Sequence, residues 1–168
     1  MHFDFLLATS WSDTDVEVRT TWGEALERRG YRVALLLVGD RDPESVDGEV
    51  TAAFNLDRLS SDENVDLAAV ERDYDIPSIR HAVLTEKRYF GLSEPERFER
   101  ARRVASGLLR LFGEHSFDHL VQARGGELHR ILLHYFVRSE GGTPLWEGGS
   151  PFEDTITRQT EWIDGSGL

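Results

Sequence analysis

Hydrophobic and polar positions in the first part of the chain follow two periodicities. Residues 3–8 and 31–38 are apolar runs of strand length, the second rich in Val and Leu. Between them, Val18, Trp22 and Leu26 recur at helical spacing. A strand, a helix and a second strand joined by short connections predict a βαβ unit. The strands of such a unit are parallel and its crossover is right-handed.

The middle of the chain is predicted to be mainly helical. Residues 50–54 predict a short third strand, and residues 64–74 predict a helix. Ser78 can cap a further helix, because a serine oxygen accepts a hydrogen bond from an N–H group of the first turn. Residues 93–113 predict a long helix that opens with the capping box Ser-Glu-Pro-Glu and carries an apolar stripe.

The alternation of strand and helix resumes in the last third of the chain. Residues 117–123 predict a strand, residues 127–139 a helix, and residues 143–146 a further short strand. A glycine pair at residues 125–126 separates the first of these strands from the helix. Residues 147–151, with two glycines and a proline, predict a loop after the last strand.

Taken together, these elements predict the α/β fold class. We expect a Rossmann-like three-layer domain with a mostly parallel sheet and a helical insertion around residues 64–113. The chain has 168 residues, the length of one domain. Residues 1–152 are expected to form that domain. Residues 153–168 are expected to form a C-terminal tail that is partly ordered and partly helical at best.

The charge of the chain disfavours some classes of partner. Asp and Glu number 31 against 19 Lys and Arg, the formal net charge is −12, and Lys87 is the single lysine. Nucleic-acid and anionic membrane partners are disfavoured, because contacts to phosphate need clustered basic residues. The acidity fits a chain from an arginine-favouring genome or adaptation to a high-salt cytoplasm, where salt screens the repulsion between carboxylates. We favour the halophilic interpretation.

The predicted location follows from what the sequence lacks. The chain has no cysteine, which excludes a disulfide framework and a thiolate nucleophile. No apolar run approaches the roughly 20 residues that span a bilayer. The amino terminus lacks the basic and apolar segments of a signal peptide. We therefore expect a cytoplasmic protein without a membrane span.

Loops at the carboxyl ends of the predicted strands are the first candidates for a site, because ligands of open parallel sheets bind there. Asp13, Gly125 and Glu147 mark three such loops, which we expect to converge on one concave edge of the sheet. Free N–H groups of Gly125 and Gly126 at the start of a helix could face an anion. Alternatively, the pair makes a tight turn whose dihedral angles require glycine.

Asp13 and Asp15 belong to an Asp-Thr-Asp sequence that has three interpretations. The two carboxylates could hold a divalent metal with a sugar-nucleotide diphosphate, because hard cations prefer carboxylate oxygens. An aspartyl-phosphate enzyme fits less well, since Lys87 has no obvious route to the site. Capping of the following helix by acidic residues is the interpretation that we favour. The spacings of the histidines and serines predict neither a metal site nor a catalytic triad.

Several short segments resemble surface- and capsule-polysaccharide biosynthesis proteins of the two-lobed glycosyltransferase class. Among them are Arg-Gly-Gly-Glu-Leu-His-Arg at residues 124–130 and Gly-Thr-Pro-Leu-Trp-Glu at residues 142–147. Two others resemble the helical insertion in the amino-terminal lobe of those proteins, and they are residues 74–78 and 86–90. The remaining matching segments are residues 117–121 and 150–152.

The resemblance implies an amino-terminal, acceptor-side lobe of a glycosyltransferase of surface polysaccharide or glycan biosynthesis. In such proteins a second lobe binds most of the sugar-nucleotide donor, so no cofactor is expected in this domain by itself. The implied partners are a glycan or lipid-linked sugar acceptor and a second glycosyltransferase lobe or subunit. A different interpretation stays open, namely a stand-alone, non-catalytic binding or assembly module with the same fold.

Candidate site residues follow from the resemblance and from the loops described above. An inverting transfer needs a group that accepts the proton of the acceptor hydroxyl. The candidates for this role are, in order, Glu147, Glu127 and Asp13. The expected ligand-binding residues are Ser12, Gly125, Gly126 and Gly148. As a single domain, the chain is expected to be inactive.

Overall fold

The computed structural model describes residues 1–46, 48–60, 64–149 and 156–159. Its strands are β1 (His2–Ala8), β2 (Val33–Leu37), β3 (Ala52–Asn55), β4 (Ser116–Ala123), β5 (Thr143–Gly149) and β6 (Ile156–Gln159). They form one sheet in the order β3-β2-β1-β4-β5-β6. β1 to β5 are parallel to one another, and β6 is antiparallel to β5. The predicted mostly parallel sheet is confirmed.

Helices cover both faces of this sheet and confirm the predicted Rossmann-like three-layer fold. They are α1 (Asp13–Glu27), α2 (Leu56–Leu59), α3 (Leu67–Asp73), α4 (Ile79–Thr85), α5 (Glu94–Glu114) and α6 (Leu128–Ser139). α1 packs on one face, while α3 to α6 contribute to a larger hydrophobic cluster on the other. The insertion predicted around residues 64–113 is therefore helical and contains α3, α4 and α5.

Strand β2 shows why the second apolar run is continuous. All five of its residues are fully buried. Ala34 and Leu36 belong to the larger cluster, whereas Val33, Leu35 and Leu37 belong to the smaller cluster on the α1 side. A strand covered on both faces needs apolar residues at every position, unlike one with a wet face.

Local signals at several helix ends are also confirmed. The Glu96 carboxylate accepts hydrogen bonds from the N–H and the hydroxyl of Ser93 at 2.7 and 2.6 Å, as the capping box predicts. The Ser78 hydroxyl oxygen accepts from the N–H of His81 at 3.1 Å. Gly30, just after α1, has a φ of +88°, in the left-handed region that favours glycine.

The buried face of α1 agrees in part with the predicted one, because Trp22 and Leu26 pack against the smaller hydrophobic cluster but Val18 does not. Val18 is 37% exposed, whereas its neighbour Arg19 is fully buried. Gly23 is also buried. A Cβ atom at this position would lie 2.6 Å from the Val50 side chain, so the site has no room for a larger residue. Helical spacing of apolar residues missed the centre of this face, because a charged residue and a glycine occupy it, while Trp22 is partly buried beside them.

Strand β5 is longer than predicted, which changes the setting of two candidate residues. Glu147 and Gly148 lie within β5 rather than in a loop, and they pair with Arg158 and Thr157 of β6. Formation of β6 prolongs the ladder beyond the point where the glycines suggested a turn. The prediction of a partly helical tail is wrong for residues 156–159, and its other residues lie outside the described part.

Length and hydropathy of the helices bear on the membrane prediction. Within residues 1–46, 48–60, 64–149 and 156–159, no helix combines the length and the apolar character needed to span a bilayer. The longest, α5, has 21 residues. Its charged side chains lie on the face opposite the core.

Candidate functional site

The strand order reverses at β1, which positions the candidate site. β1 pairs with β2 on one side and with β4 on the other. The connections that leave the carboxyl ends of β1 and β4 therefore run to opposite faces of the sheet. A crevice opens between them, and in open α/β sheets this topological switch point is where ligands bind.

A cavity of about 430 Å³ occupies this position, and we call it the switch-point cavity. Three segments line it, namely residues 10–12 after β1, residues 125–127 after β4, and residues 85–88 between α4 and α5. The first two segments contain Ser12, Gly125, Gly126 and Glu127, which sequence reasoning had selected. The third segment was missed as part of the site.

Lys87 is the clearest correction within that third segment. The sequence suggested no route from this lysine to the site, yet Lys87 lines the cavity together with Arg88. The reason is a long-range contact, because the helical insertion folds back over the carboxyl edge of the sheet. The resemblance of residues 86–90 to an insertion was the available signal, but no periodicity in the sequence places that segment.

The contact that holds the insertion in place is made by Glu86, which is 5% exposed. Its Oε2 atom accepts a hydrogen bond from the N–H of Leu128, the first residue of α6, at 2.8 Å. Its Oε1 atom accepts from the N–H of Arg88 at 3.0 Å. A carboxylate at a helix N-terminus is stabilised by the helix dipole and by the unpaired N–H groups there. Glu86 therefore acts as a cap for α6.

Behind the cavity lies a set of alternating charges, which we call the charge cluster: Asp15, Arg19, Glu127, Arg130 and Glu147. Arg19 is fully buried and contacts Asp15 at 3.6 Å and Glu147 at shorter range. Arg130 lies 3.4 Å from both Asp15 and Glu127. The cluster thus joins α1, β5 and α6 through side chains from three distant parts of the sequence.

Asp15 is the centre of the charge cluster rather than a helix cap. Ser12 is the N-cap residue of α1, and Asp13 and Asp15 lie in the first turn. The Asp15 carboxylate contacts both buried guanidinium groups and accepts a hydrogen bond from the N–H of Ser10. The favoured capping interpretation is therefore wrong in its detail, because Asp15 binds arginines and a loop N–H instead.

Asp13 lies apart from the cavity. Its side chain is 93% exposed and pairs with Arg41 at 2.7 Å. Two residues apart on a helix, Asp13 and Asp15 do not share a face. They pair with different arginines, so the arrangement does not offer them as one ligand pair. The loops after β1 and β4 meet at the cavity through residues 10–12 and 125–127, whereas neither Asp13 nor Glu147 lines it.

The glycine pair is explained by the space around it and not by backbone dihedral angles that require glycine. Neither Gly125 nor Gly126 has a φ in the left-handed region. A Cβ atom on Gly125 would collide with the Glu127 carboxylate and lie 2.9 Å from Nη1 of Arg130, whereas a Cβ atom on Gly126 would meet nothing within 4 Å. The absence of a side chain at Gly125 therefore lets the Glu127 carboxylate and the Arg130 guanidinium lie close to the backbone. The absence of one at Gly126 leaves that part of the cavity open.

His129, in the first turn of α6, is buried beside the same edge. Its Nε2 atom lies 3.2 Å from the carbonyl oxygen of Thr9, and its ring meets Trp11 edge-on. Burial, with a smaller contribution from the Arg130 charge, lowers the pKa of His129 to about 4. The imidazole is therefore neutral near pH 7, and Nε2 carries the proton that it donates to Thr9.

Acidification is expected to destabilise the protein as the pH falls from 6.5 towards 4. The unfolded chain protonates His129 near its ordinary value of 6.5, but the folded chain does so only near its pKa of about 4. Proton uptake therefore favours unfolding in this window. Burial also lowers the pKa of His134 to about 4. Each histidine contributes up to about 1.4 kcal/mol per pH unit.

Urea unfolding between pH 6.5 and 5 measures how the free energy of unfolding depends on pH. This window lies above the pH at which most carboxylates take up a proton. His129→Gln keeps a donor for Thr9 but does not titrate, so its free energy of unfolding should fall less steeply with acidification. His81, which is exposed on α4, provides the matched control. His81→Gln should keep the parent slope. Equal slopes for His129→Gln and the parent would contradict the assignment.

Comparison of the chain with protein-family models, with curated proteins and with solved structures finds no match. Function has therefore to be inferred from the fold, the switch-point cavity and the charge cluster. The cavity combines hydroxyl, indole, cationic and main-chain N–H groups from three segments. Such a lining suits a polar ligand with several hydrogen-bonding groups.

Proposed function

We propose that this chain is the acceptor-side, amino-terminal lobe of a glycosyltransferase-like protein of surface polysaccharide or glycan biosynthesis. The observation that carries the proposal is the switch-point cavity, placed at the carboxyl edge of a Rossmann-like sheet. Its volume of about 430 Å³ falls within the range of small-molecule sites. Its lining includes residues 86–88 and 125–127, which belong to the segments that resemble the polysaccharide family.

The chemistry of the lining supports a sugar as the ligand. The hydroxyl groups of Ser10 and Ser12 can each donate and accept hydrogen bonds. The Thr85 hydroxyl donates to the carbonyl oxygen of His81 at 2.9 Å and can still accept. Sugar hydroxyls have the same dual character, so they pair readily with such groups. Trp11 adds an aromatic wall, and the Arg88 guanidinium lies 3.9 Å from the centre of its ring. Together these groups provide polar partners along one apolar surface, as small-molecule sites do.

Within this proposal, Glu127 is the carboxylate placed to accept a proton from an acceptor hydroxyl. It lines the cavity, and its side chain is 26% exposed. Glu147 has the same exposure but is paired with the fully buried Arg19 and does not line the cavity. Asp13 pairs with Arg41 away from the cavity. The order of the candidates is therefore Glu127 before Glu147 and Asp13.

A binding module without catalysis is the second candidate, and one observation favours it. Each of the three candidate carboxylates pairs with an arginine: Glu127 with Arg130, Glu147 with Arg19, and Asp13 with Arg41. A carboxylate that contacts a guanidinium has fewer oxygen lone pairs left for an acceptor hydroxyl than a free one. In this alternative the cavity still binds a glycan, and the charge cluster only supports its walls.

Titration of the isotope-labelled chain, followed by NMR, tests the proposal. Acceptor-type oligosaccharides should shift the amide resonance of Gly126 and those of residues 85–88. The resonance of Gly141, at the far end of α6, serves as internal control and should stay in place. Sugar nucleotides should bind weakly or not at all. Tight binding of a sugar nucleotide, or glycan-induced shifts confined to other surfaces, would overturn the proposal.

One variant separates the two candidates. Glu127→Gln should leave glycan binding by the chain within about twofold of the parent in both, because the side chain keeps its shape. Combined with a donor-binding lobe, the glycosyltransferase-like protein should lose roughly 100-fold or more of its transfer rate on this change, the usual loss for a general base. Asp13→Asn is the matched control and should transfer at the parent rate. Equal transfer by both variants would exclude Glu127 as the base.

A further inference from the structure

Two buried side-chain donors close to the switch-point cavity have no hydrogen-bond acceptor in the described part of the chain. The Nε1 atom of Trp11 is buried without an acceptor among the described residues, and so is Nε of Arg130, a residue only 3% exposed. Both atoms can only donate. Buried donors in a native structure normally have a partner. Trp11 lines the cavity, so its indole N–H calls for an acceptor on a ligand or on a water molecule, whereas Arg130 lies behind the lining and pairs with Asp15 and Glu127.

Main-chain donors beside the cavity are unpaired as well in the described part of the chain. Among the described residues, the N–H groups of Gly125, Gly126 and Glu127 donate to no protein acceptor. They lie immediately before α6, a helix of 12 residues whose N-terminal end carries a partial positive charge. Gly126 has no atom within 4 Å of the place where a Cβ would stand, so a ligand can approach this backbone closely.

Two cationic side chains complete the lining. Lys87 and Arg88 are exposed, both line the cavity, and neither pairs with a carboxylate among the described residues. The two acidic residues of the lining are already engaged. Glu86 uses one oxygen for each of two N–H groups, and the charge of Glu127 is balanced by Arg130. The two cations of the lining are therefore available to an anionic ligand, whereas its two carboxylates are already engaged.

We infer that the switch-point cavity binds a phosphoryl group, with Lys87, Arg88 and the N–H groups of residues 125–127 as its donors. A phosphate offers several acceptor oxygens and a negative charge, which match the unpaired N–H groups and the two neighbouring cations. The expected ligand is a phosphorylated sugar, and this assignment to a sugar rests on the proposed function. Two sources carry the same chemistry, a soluble sugar phosphate and a lipid-linked sugar phosphate.

Binding of glucose 1-phosphate by the full chain tests the inference, measured by NMR at low and constant ionic strength. We expect shifts at Gly125, Gly126 and residues 87–88, and at least tenfold weaker binding of uncharged methyl glucoside. A second titration uses farnesyl phosphate in detergent micelles, with farnesol as the uncharged control. Tighter binding of farnesyl phosphate than of farnesol would indicate that the natural ligand is a lipid-linked phosphate. If neither phosphate binds more tightly than its uncharged control, the inference is wrong.

Two variants test the assigned donors. Lys87→Gln combined with Arg88→Gln should weaken glucose 1-phosphate binding by at least roughly tenfold, as charge-assisted hydrogen bonds are lost. Arg29→Gln combined with Arg72→Gln, at exposed sites outside the cavity lining, makes the same change in net charge and should bind like the parent. If both double variants bind glucose 1-phosphate equally weakly, the effect comes from overall charge and the assignment of the site is wrong.

A third variant tests the main-chain donors without removing charge. Gly126→Ala has room for its methyl group, so the fold should persist, as thermal unfolding will show. The methyl group should nevertheless obstruct the approach to the N–H groups and weaken glucose 1-phosphate binding severalfold. Unchanged affinity would exclude these N–H groups. If methyl glucoside binds as tightly as glucose 1-phosphate, this inference is wrong and the proposed function stands. If inorganic phosphate binds but no glycan does, the proposed function is wrong and this inference stands.

Discussion

Replacement of Asp15 by Ala is expected to lower the free energy of unfolding by about 3 kcal/mol. Arg19 is fully buried and Arg130 nearly so, and both guanidinium groups contact this one carboxylate. Without it, Arg19 keeps Glu147 and Arg130 keeps Glu127 as partners, but both guanidinium groups lose the carboxylate that bridges them at a site that water reaches poorly. Removal of one partner of a buried ion pair is more costly than the pair's net contribution, because the remaining charge stays desolvated.

Asp13→Ala is the matched control for this prediction. Asp13 lies in the same helical turn and has the same chemistry, but its side chain is 93% exposed. Exposed ion pairs contribute little, so Asp13→Ala should unfold at nearly the parent urea concentration. Added salt should decrease any loss of unfolding free energy caused by Asp13→Ala. The loss caused by Asp15→Ala should persist, since salt screens buried ion pairs less than exposed ones. Similar losses for both variants would show that the charge cluster is not a buried network.

Two glycines of α5 should respond in opposite directions to replacement by Ala. Gly107→Ala is expected to destabilise the protein by about 1–2 kcal/mol, because its Cβ would lie 2.6 Å from the carbonyl oxygen of Leu56. That oxygen belongs to the backbone of α2 and cannot rotate away. Gly113→Ala should stabilise by about 0.5 kcal/mol, because no atom lies within 4 Å of its Cβ and alanine favours helix.

The same measurement serves both α5 variants, since each changes a helical glycine into alanine. Helix propensity alone predicts stabilisation in both, so only the packing of α2 against α5 reverses the sign for Gly107. Urea unfolding with circular dichroism gives the two free-energy changes. Stabilisation by Gly107→Ala would mean that α2 and α5 lie further apart than described here.

Much of the fold could be predicted from the sequence because its signals are local. The continuous apolar run of β2 reports a strand covered on both faces, and the capping box of Ser93 and Glu96 marks the start of α5. The end of β5 could not be read in the same way. Its glycines resemble a turn locally, while the pairing with β6 that extends it depends on residues further along the chain.

The candidate site was predicted less completely, for physical reasons. Gly125, Gly126 and Ser12 follow from topology, since loops after parallel strands share one edge. Lys87 and Glu86 reach that edge only through tertiary folding of the insertion, to which sequence periodicity is blind. Arg19 escaped notice because a buried arginine interrupts the apolar stripe by which a helical face is recognised.

The bond between Glu86 and the N–H of Leu128 ties the cavity to local opening of the insertion. One wall of the cavity belongs to residues 85–88, and this carboxylate fastens that wall to α6. Detachment of the segment would dismantle the site while leaving the sheet folded. Ligand affinity therefore includes the cost of holding the wall closed. A bound ligand in turn slows hydrogen exchange at the Leu128 amide, far in sequence from the wall that it contacts.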